Sequence, residues 1–207
     1  MRPLPRLHAY TDGTICRAAD FGVRAAAIAA GGDAVALYAR DPASTAAQLT
    51  AFAKRLLALA RPPGAAVIVS GRPDIAQALE AHGVQLRAND LSPSDARQVF
   101  PRGWLGRSVH SLSEAEHALA EGAEYLVVGH VFETPSHREH PPIGLHLLGR
   151  ISALGAPVVA IGGMTPARVA VVRDAGAWGI AAMSALWHAV DSAAAARAFL
   201  GSWAEAA

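Results

Sequence analysis

Eight short apolar segments, each followed by a stretch that reads as helical, constrain this chain more than any other feature. They are LHAYT (7–11), AVALYA (34–39), AAVIVS (65–70), GVQLR (83–87), WLGRS (104–108), EYLVVG (124–129), PVVAIGG (157–163) and WGIAAMS (178–184). Turn residues bound them, and several are apolar at consecutive positions, the pattern of parallel strands buried on both faces. Between them TAAQLTAFAKRLLALA carries apolar residues at helical spacing. SLSEAEHALAEG opens with Ser111 or Ser113 as a cap and ends at Gly122, and TPARVAVVRDAG has Thr165 as N-cap, Pro166 in the first turn and Gly176 at its end. SAAAARAFLGSWAEA gives a closing helix. Eight βα units in 207 residues predict an α/β chain folded as a single (β/α)8 TIM barrel over 1–207. An open doubly wound sheet is the competing arrangement.

Composition removes several function classes. Hydrophobic residues make up 52% and charged residues 17%, enough apolar material for a substantial core. The net charge is +1 with no basic run, which argues against nucleic acid and anionic membrane partners but leaves room for a local anion site. Cys16 is the sole cysteine, so an internal disulfide and a cysteine-based zinc cluster are excluded. MRPLPRLHAY lacks the apolar segment of a signal peptide, and no apolar run reaches the ~18 residues of a membrane span, so the cytoplasm is the expected location. Lys54 is the only lysine and falls on a predicted outer helix, which argues against Schiff-base chemistry.

On a barrel, functional residues collect where strands end. AIGGMTP puts Gly162 and Gly163 after the seventh strand, and AAMSALW puts Met183, Ser184 and Ala185 after the eighth. Loops at those two places frequently bind phosphate through backbone N–H groups; otherwise the glycines serve a tight turn. His130 follows the sixth strand, either as an acid/base or as a histidine satisfied by a carbonyl. In the long segment TPSHREHPPIG (134–144), His137, His140 and Glu139 read as a solvated loop in preference to a metal site. Arg107, Ser108 and His110 cluster after the fifth strand, Arg72 and Asp74 after the third, Asn89 and Asp90 after the fourth. His8, Tyr10 and Asp12 sit on or after the first.

Several of these stretches resemble the thiamine phosphate synthase/TenI superfamily: SGRPDIA, GRSVHSLSEAEHA, AEYLVVGHVFET, PVVAIGGMTPARV and AGAWGIAAMSALW. The resemblance spans most of the chain and implies the barrel fold. It offers two activities: magnesium-dependent coupling of a pyrimidine pyrophosphate to a thiazole phosphate, or metal-free tautomerisation of a thiazole carboxylate phosphate. Where the synthase pattern has Asn-Asp, with the aspartate on magnesium, this chain has Ser70 and Gly71, while Asp90 keeps the second acidic position. Where synthases have Thr-x-Thr-Lys it has Thr134, Pro135, Ser136 and His137, and where they usually have proline it has His130. The strand-two ending R-x-R/K is Tyr38, Ala39, Arg40.

These departures imply a TenI-type thiazole tautomerase, an isomerase needing no metal or cofactor. In that reading His130 is the proton shuttle. Gly162, Gly163, Met183 and Ser184 hold the phosphate, and Ser108, Thr134 and Arg40 line the pocket. The implied partner is a small-molecule thiazole phosphate, and a homodimer is left open. A thiamine phosphate synthase and a non-catalytic phosphate-binding barrel are the alternatives.

Overall fold

Strands rich in valine, isoleucine and alanine, each apolar on both faces, pair edge to edge until no edge is left. In the computed structural model, which describes residues 3–60, 64–134 and 141–204, they form one closed parallel barrel in chain order. The strands are β1 (Leu7–Ala9), β2 (Val35–Ala39), β3 (Ala66–Ser70), β4 (Gly83–Leu86), β5 (Trp104–Val109), β6 (Tyr125–Gly129), β7 (Val158–Ile161) and β8 (Gly179–Ala182). Closure is β1 on β8, with Leu7, His8 and Ala9 opposite Ile180, Ala181 and Ala182. All eight expected strands are present, and the doubly wound alternative is excluded.

The helices run α1 (Gly13–Arg17), α2 (Phe21–Ala29), α3 (Ala46–Ala60), α4 (Pro73–Ala78), α5 (Pro93–Val99), α6 (Leu112–Ala120), α7 (Gly144–Ser152), α8 (Val169–Asp174), α9 (Ser184–Trp187) and α10 (Ser192–Ala204). Ser111, not Ser113, caps α6, its side chain accepting from the Glu114 N–H. Thr165 makes no side-chain cap bond, and its segment opens as a 3-10 turn over Pro166–Arg168 before α8 begins. Lys54 is exposed on α3, as its position in the helical pattern predicts. None of the described helices is long and apolar enough to cross a membrane.

Strand alternation sorts side chains into two layers. Leu37, Val67, Val69, Leu105, Leu126, Val128 and Ile180 face the helices and join Phe21, Leu56, Ile151 and Phe199 in the outer core. Ala36, Tyr38, Ile68, Tyr125, Val127, Val159 and Ala181 fill the interior. Gly106 is what admits the large Tyr125 ring there, since a Cβ at 106 would fall 2.1 Å from Tyr125 Cζ.

The interior also holds a polar chain. His8, fully buried, places Nε2 2.9 Å from the Pro5 carbonyl, so that nitrogen donates, and Nδ1 accepts from the Tyr38 hydroxyl at 2.9 Å. The Tyr38 hydroxyl lies 3.2 Å from that of Tyr125. Burial lowers the His8 pKa to about 4, so the ring is neutral in this network.

Candidate active site

The mouth of the barrel is built on the residues just past the strand ends. After β1, the buried Thr11 hydroxyl lies 2.8 Å from the carbonyls of both Tyr38 and Arg40, and the Thr11 carbonyl accepts from Arg40 Nη1 at 3.0 Å. Arg40 is thereby fixed at the rim. Tyr10 stacks on Tyr38 with ring centroids 4.0 Å apart, and its buried hydroxyl lacks a hydrogen-bond partner among the described residues. Tyr38, at the position where the resemblance expects a base, therefore belongs to the barrel interior and closes it beneath the mouth. Asp12, just past β1, is a helix cap. Its carboxylate accepts from the N–H groups of Thr14 and Ile15 and starts α1.

A pocket of about 120 Å³ opens over the ends of β2, β3 and β4, lined by Arg40, Ser44, Thr45, Gly71, Arg72 and Arg87. Sequence reasoning named Arg40 and Arg72 but missed Arg87, the last residue of the segment GVQLR. Asp74 pairs with Arg72 through both oxygens, and that contact, by its hydrogen bonds first, holds the carboxyl below its ordinary range. Asp90 is likewise gripped by Arg87, Nε to Oδ2 at 3.1 Å and Nη2 to Oδ1 at 2.9 Å, while the Arg87 N–H donates to Oδ2 at 2.7 Å.

On the opposite side, His130 follows β6 and is 8% exposed. Gly162, at φ +98°, makes room for it, and Gly163, at φ +64°, lets the β7 loop pass the Glu133 carbonyl and Phe132. Arg168 donates to the Gly163 carbonyl and covers the Phe132 ring at 4.5 Å, bracing that loop. Met183 and the exposed Ser184 follow β8 at the same end. Ser108 faces inward and accepts from Gln85 Nε2 at 3.0 Å. Gln85 was not foreseen, although a polar residue on an inward strand position was its signal.

Arg107 points outward and ties down the loop after β4 through the Ala88 and Leu91 carbonyls. His110 Nδ1 contacts the Gly129 carbonyl and so braces the end of β6. Thr134 is half-buried beyond β6. His137, Glu139 and His140 lie outside the described residues.

The magnesium of the synthase pattern can be tested against these donors. Position 71 has no side chain, and both oxygens of Asp90 are committed to the Arg87 guanidinium. Among the described residues no three His, Cys, Asp or Glu side chains gather as a metal site would require. Magnesium binds through carboxylates and substrate phosphates in strict octahedral geometry, and a carboxylate already neutralised by a neighbouring cation is a poor ligand. The residues present do not fit the ion.

The family described as "Thiamine monophosphate synthase" matches residues 7–186. The chain belongs to that family. It is 40% identical over 194 residues to the thiamine-phosphate synthase of Chloroflexus aurantiacus, covering 93% of this chain and 89% of that protein. It is 41% identical, again over 194 residues, to that of Methanoculleus marisnigri, covering 92% of each. The solved thiamine phosphate pyrophosphorylase of Pyrococcus furiosus superposes with a TM-score of 0.84 at 31% identity, over 97% of this chain and 96% of that one. A 3-hexulose-6-phosphate synthase, TM-score 0.68 at 18% identity, shares the fold alone.

These relatives overturn the isomerase expectation. Gly71, His130 and the missing loop lysine point in the sequence to a tautomerase, yet relatives at about 40% identity over most of the chain are synthases. The physical reason is that an absent ligand subtracts one device from a site without specifying another reaction. The proton-shuttle role of His130 is an inference from the isomerase reading, and these comparisons bear on the reaction and not on that residue.

Proposed function

We propose that this protein is a transferase of the thiamine-phosphate synthase type, coupling a pyrimidine carrying a diphosphate to a thiazole carrying a phosphate. The observation that carries the reading is one mouth with two separate places suited to anions. The loops after β7 and β8, at Gly162, Gly163, Met183 and Ser184, offer backbone N–H groups in a turn with two successive positive-φ glycines. The pocket over β2, β3 and β4 offers guanidinium groups. The relatives' names, thiamine-phosphate synthase and thiamine phosphate pyrophosphorylase, support the same class of activity.

In this reading the thiazole phosphate sits on the β7 and β8 loops and the diphosphate lies among Arg40, Arg72 and Arg87. The stacked Tyr10 and Tyr38 rings form an apolar floor for a planar heterocycle, with Ser108, Thr134 and His130 as the polar wall. The ring nitrogen forms a bond to the pyrimidine methylene carbon. The carbon–oxygen bond to the diphosphate breaks, and its electron pair leaves with the diphosphate oxygen. Nothing in that exchange requires a proton to be taken from carbon, so the barrel's contribution is to hold two anions in line and to exclude water.

A bacterial strain deleted for its own thiamine-phosphate synthase tests the reading. Expression of this chain restores growth without added thiamine. Absence of growth, with the chain present in the soluble fraction, contradicts it.

A further inference from the structure

We propose that the pocket over the ends of β2, β3 and β4 binds a diphosphate or phosphate-ester anion through guanidinium groups alone, without a divalent cation. The identity of the anion rests on the transferase reading; the binding mode rests on the geometry of the pocket.

Three observations converge. First, a side chain at residue 71 would crowd the Arg87–Asp90 pair. An ideal Cβ on Gly71, at φ +72°, would lie 3.0 Å from Asp90 Oδ2, 3.1 Å from Arg87 Nη2 and 3.2 Å from Asp90 Oδ1. A second acidic side chain would enter beside the Asp90 carboxylate only if the Arg87–Asp90 pair shifted. Second, Asp90 is held three times, by Nε, Nη2 and the backbone N–H of Arg87. Releasing it to a cation would break a two-bond ion pair and leave a guanidinium beside the ion.

Third, the cations retain capacity. Arg87 and Arg72 each meet their carboxylate through Nε and Nη2, which leaves Nη1 of both groups unused by those pairs. Arg40 has no carboxylate within ion-pair distance among the described residues, and Thr11 holds its Nη1. Asp41, the acidic residue of the lining, is paired with Arg17 at 3.1 Å. The pocket is therefore a cluster of positioned guanidiniums, a donor set that matches phosphate oxygens in pairs. When the carbon–oxygen bond of the diphosphate ester breaks, the charge gathering on the departing oxygen meets these groups in place of a metal ion.

Calorimetric titration of the purified chain with inorganic pyrophosphate, in buffer containing a metal chelator, tests the proposal. Pyrophosphate binds in chelator, and Arg40→Gln and Arg87→Gln each weaken it about tenfold. Asp90→Asn keeps an oxygen for the Arg87 N–H and releases the guanidinium, so it leaves binding unchanged or tightens it. A metal-bridged site gives the opposite sign: binding only after magnesium is added, and its loss in Asp90→Asn. Either of those results, or no binding at all, overturns the proposal. Unchanged circular dichroism and melting temperature certify each variant as folded. A chain that binds pyrophosphate in chelator but never couples the two heterocycles contradicts the transferase reading only. One that couples them but needs magnesium and Asp90 contradicts this proposal only.

Discussion

Gly162 lies against His130 with no room for a side chain: a Cβ at 162 would fall 2.2 Å from the His130 Cβ and 2.6 Å from its Cα. The glycine also holds φ +98°, a conformation that side-chain-bearing residues rarely adopt. Gly162→Ala is therefore expected to destabilise the fold by about 1–3 kcal/mol. It also displaces the β7 loop, where the proposed function seats a phosphate. Chemical denaturation reads the first effect, and a rise in KM for the thiazole phosphate reads the second.

Gly106 makes a separate prediction inside the barrel. Its alanine variant drives a methyl group into the Tyr125 ring, 2.1 Å from Cζ, and toward Gln85 Oε1 at 2.5 Å. Overpacking of this kind costs about 1–3 kcal/mol. The melting temperature falls in Gly106→Ala, and the double variant Gly106→Ala, Tyr125→Phe recovers none of it, because the clash is with the ring and not the hydroxyl.

How far these positions could be foreseen differs by level. The strands were legible because consecutive valines, isoleucines and alanines in short runs have few other places to go than a sheet covered on both sides. Helix α1 was not, since its five residues are too few to show a period and its Asp12 cap resembles any acidic residue after a strand. The cluster of Arg40, Arg72 and Arg87 draws on the ends of three strands, β2, β3 and β4, that only their side-by-side pairing in the sheet brings together. The Arg87–Asp90 pair depends on the bend of the loop after β4, and it changes Asp90 from a metal ligand in waiting to the partner of a guanidinium.

His8 supplies a pH dependence with a definite sign. Its folded pKa of about 4 lies below the ordinary histidine value near 6.5, so between these values the unfolded chain binds the proton more readily. The stability from the neutral buried ring is complete above about pH 6.5 and is lost as pH falls toward 4, by roughly 3 kcal/mol in all. Urea denaturation between pH 7.5 and 4 (roughly the window in which histidine titrates) measures it. His8→Gln is less stable at neutral pH but shows a shallower decline, so the two stability curves converge on acidification. Parallel curves would place the acid sensitivity elsewhere.

Arg107 acts at a distance from the pocket. Its guanidinium fastens the Ala88 and Leu91 carbonyls, the two sides of the loop that presents Asp90. Arg107→Ala costs about 1 kcal/mol or less overall, because the side chain is partly solvated. Amide exchange in residues 88–91 speeds up while exchange in β5 does not.

The proposed function has this barrel mouth couple two phosphorylated heterocycles. Its most direct measurement incubates the purified chain with the pyrimidine diphosphate and the thiazole phosphate together, and follows both substrates and released pyrophosphate. One coupled product and one pyrophosphate are expected for each pair of substrates consumed. Substrates that both persist unchanged, with the folded chain shown to bind each, would contradict it.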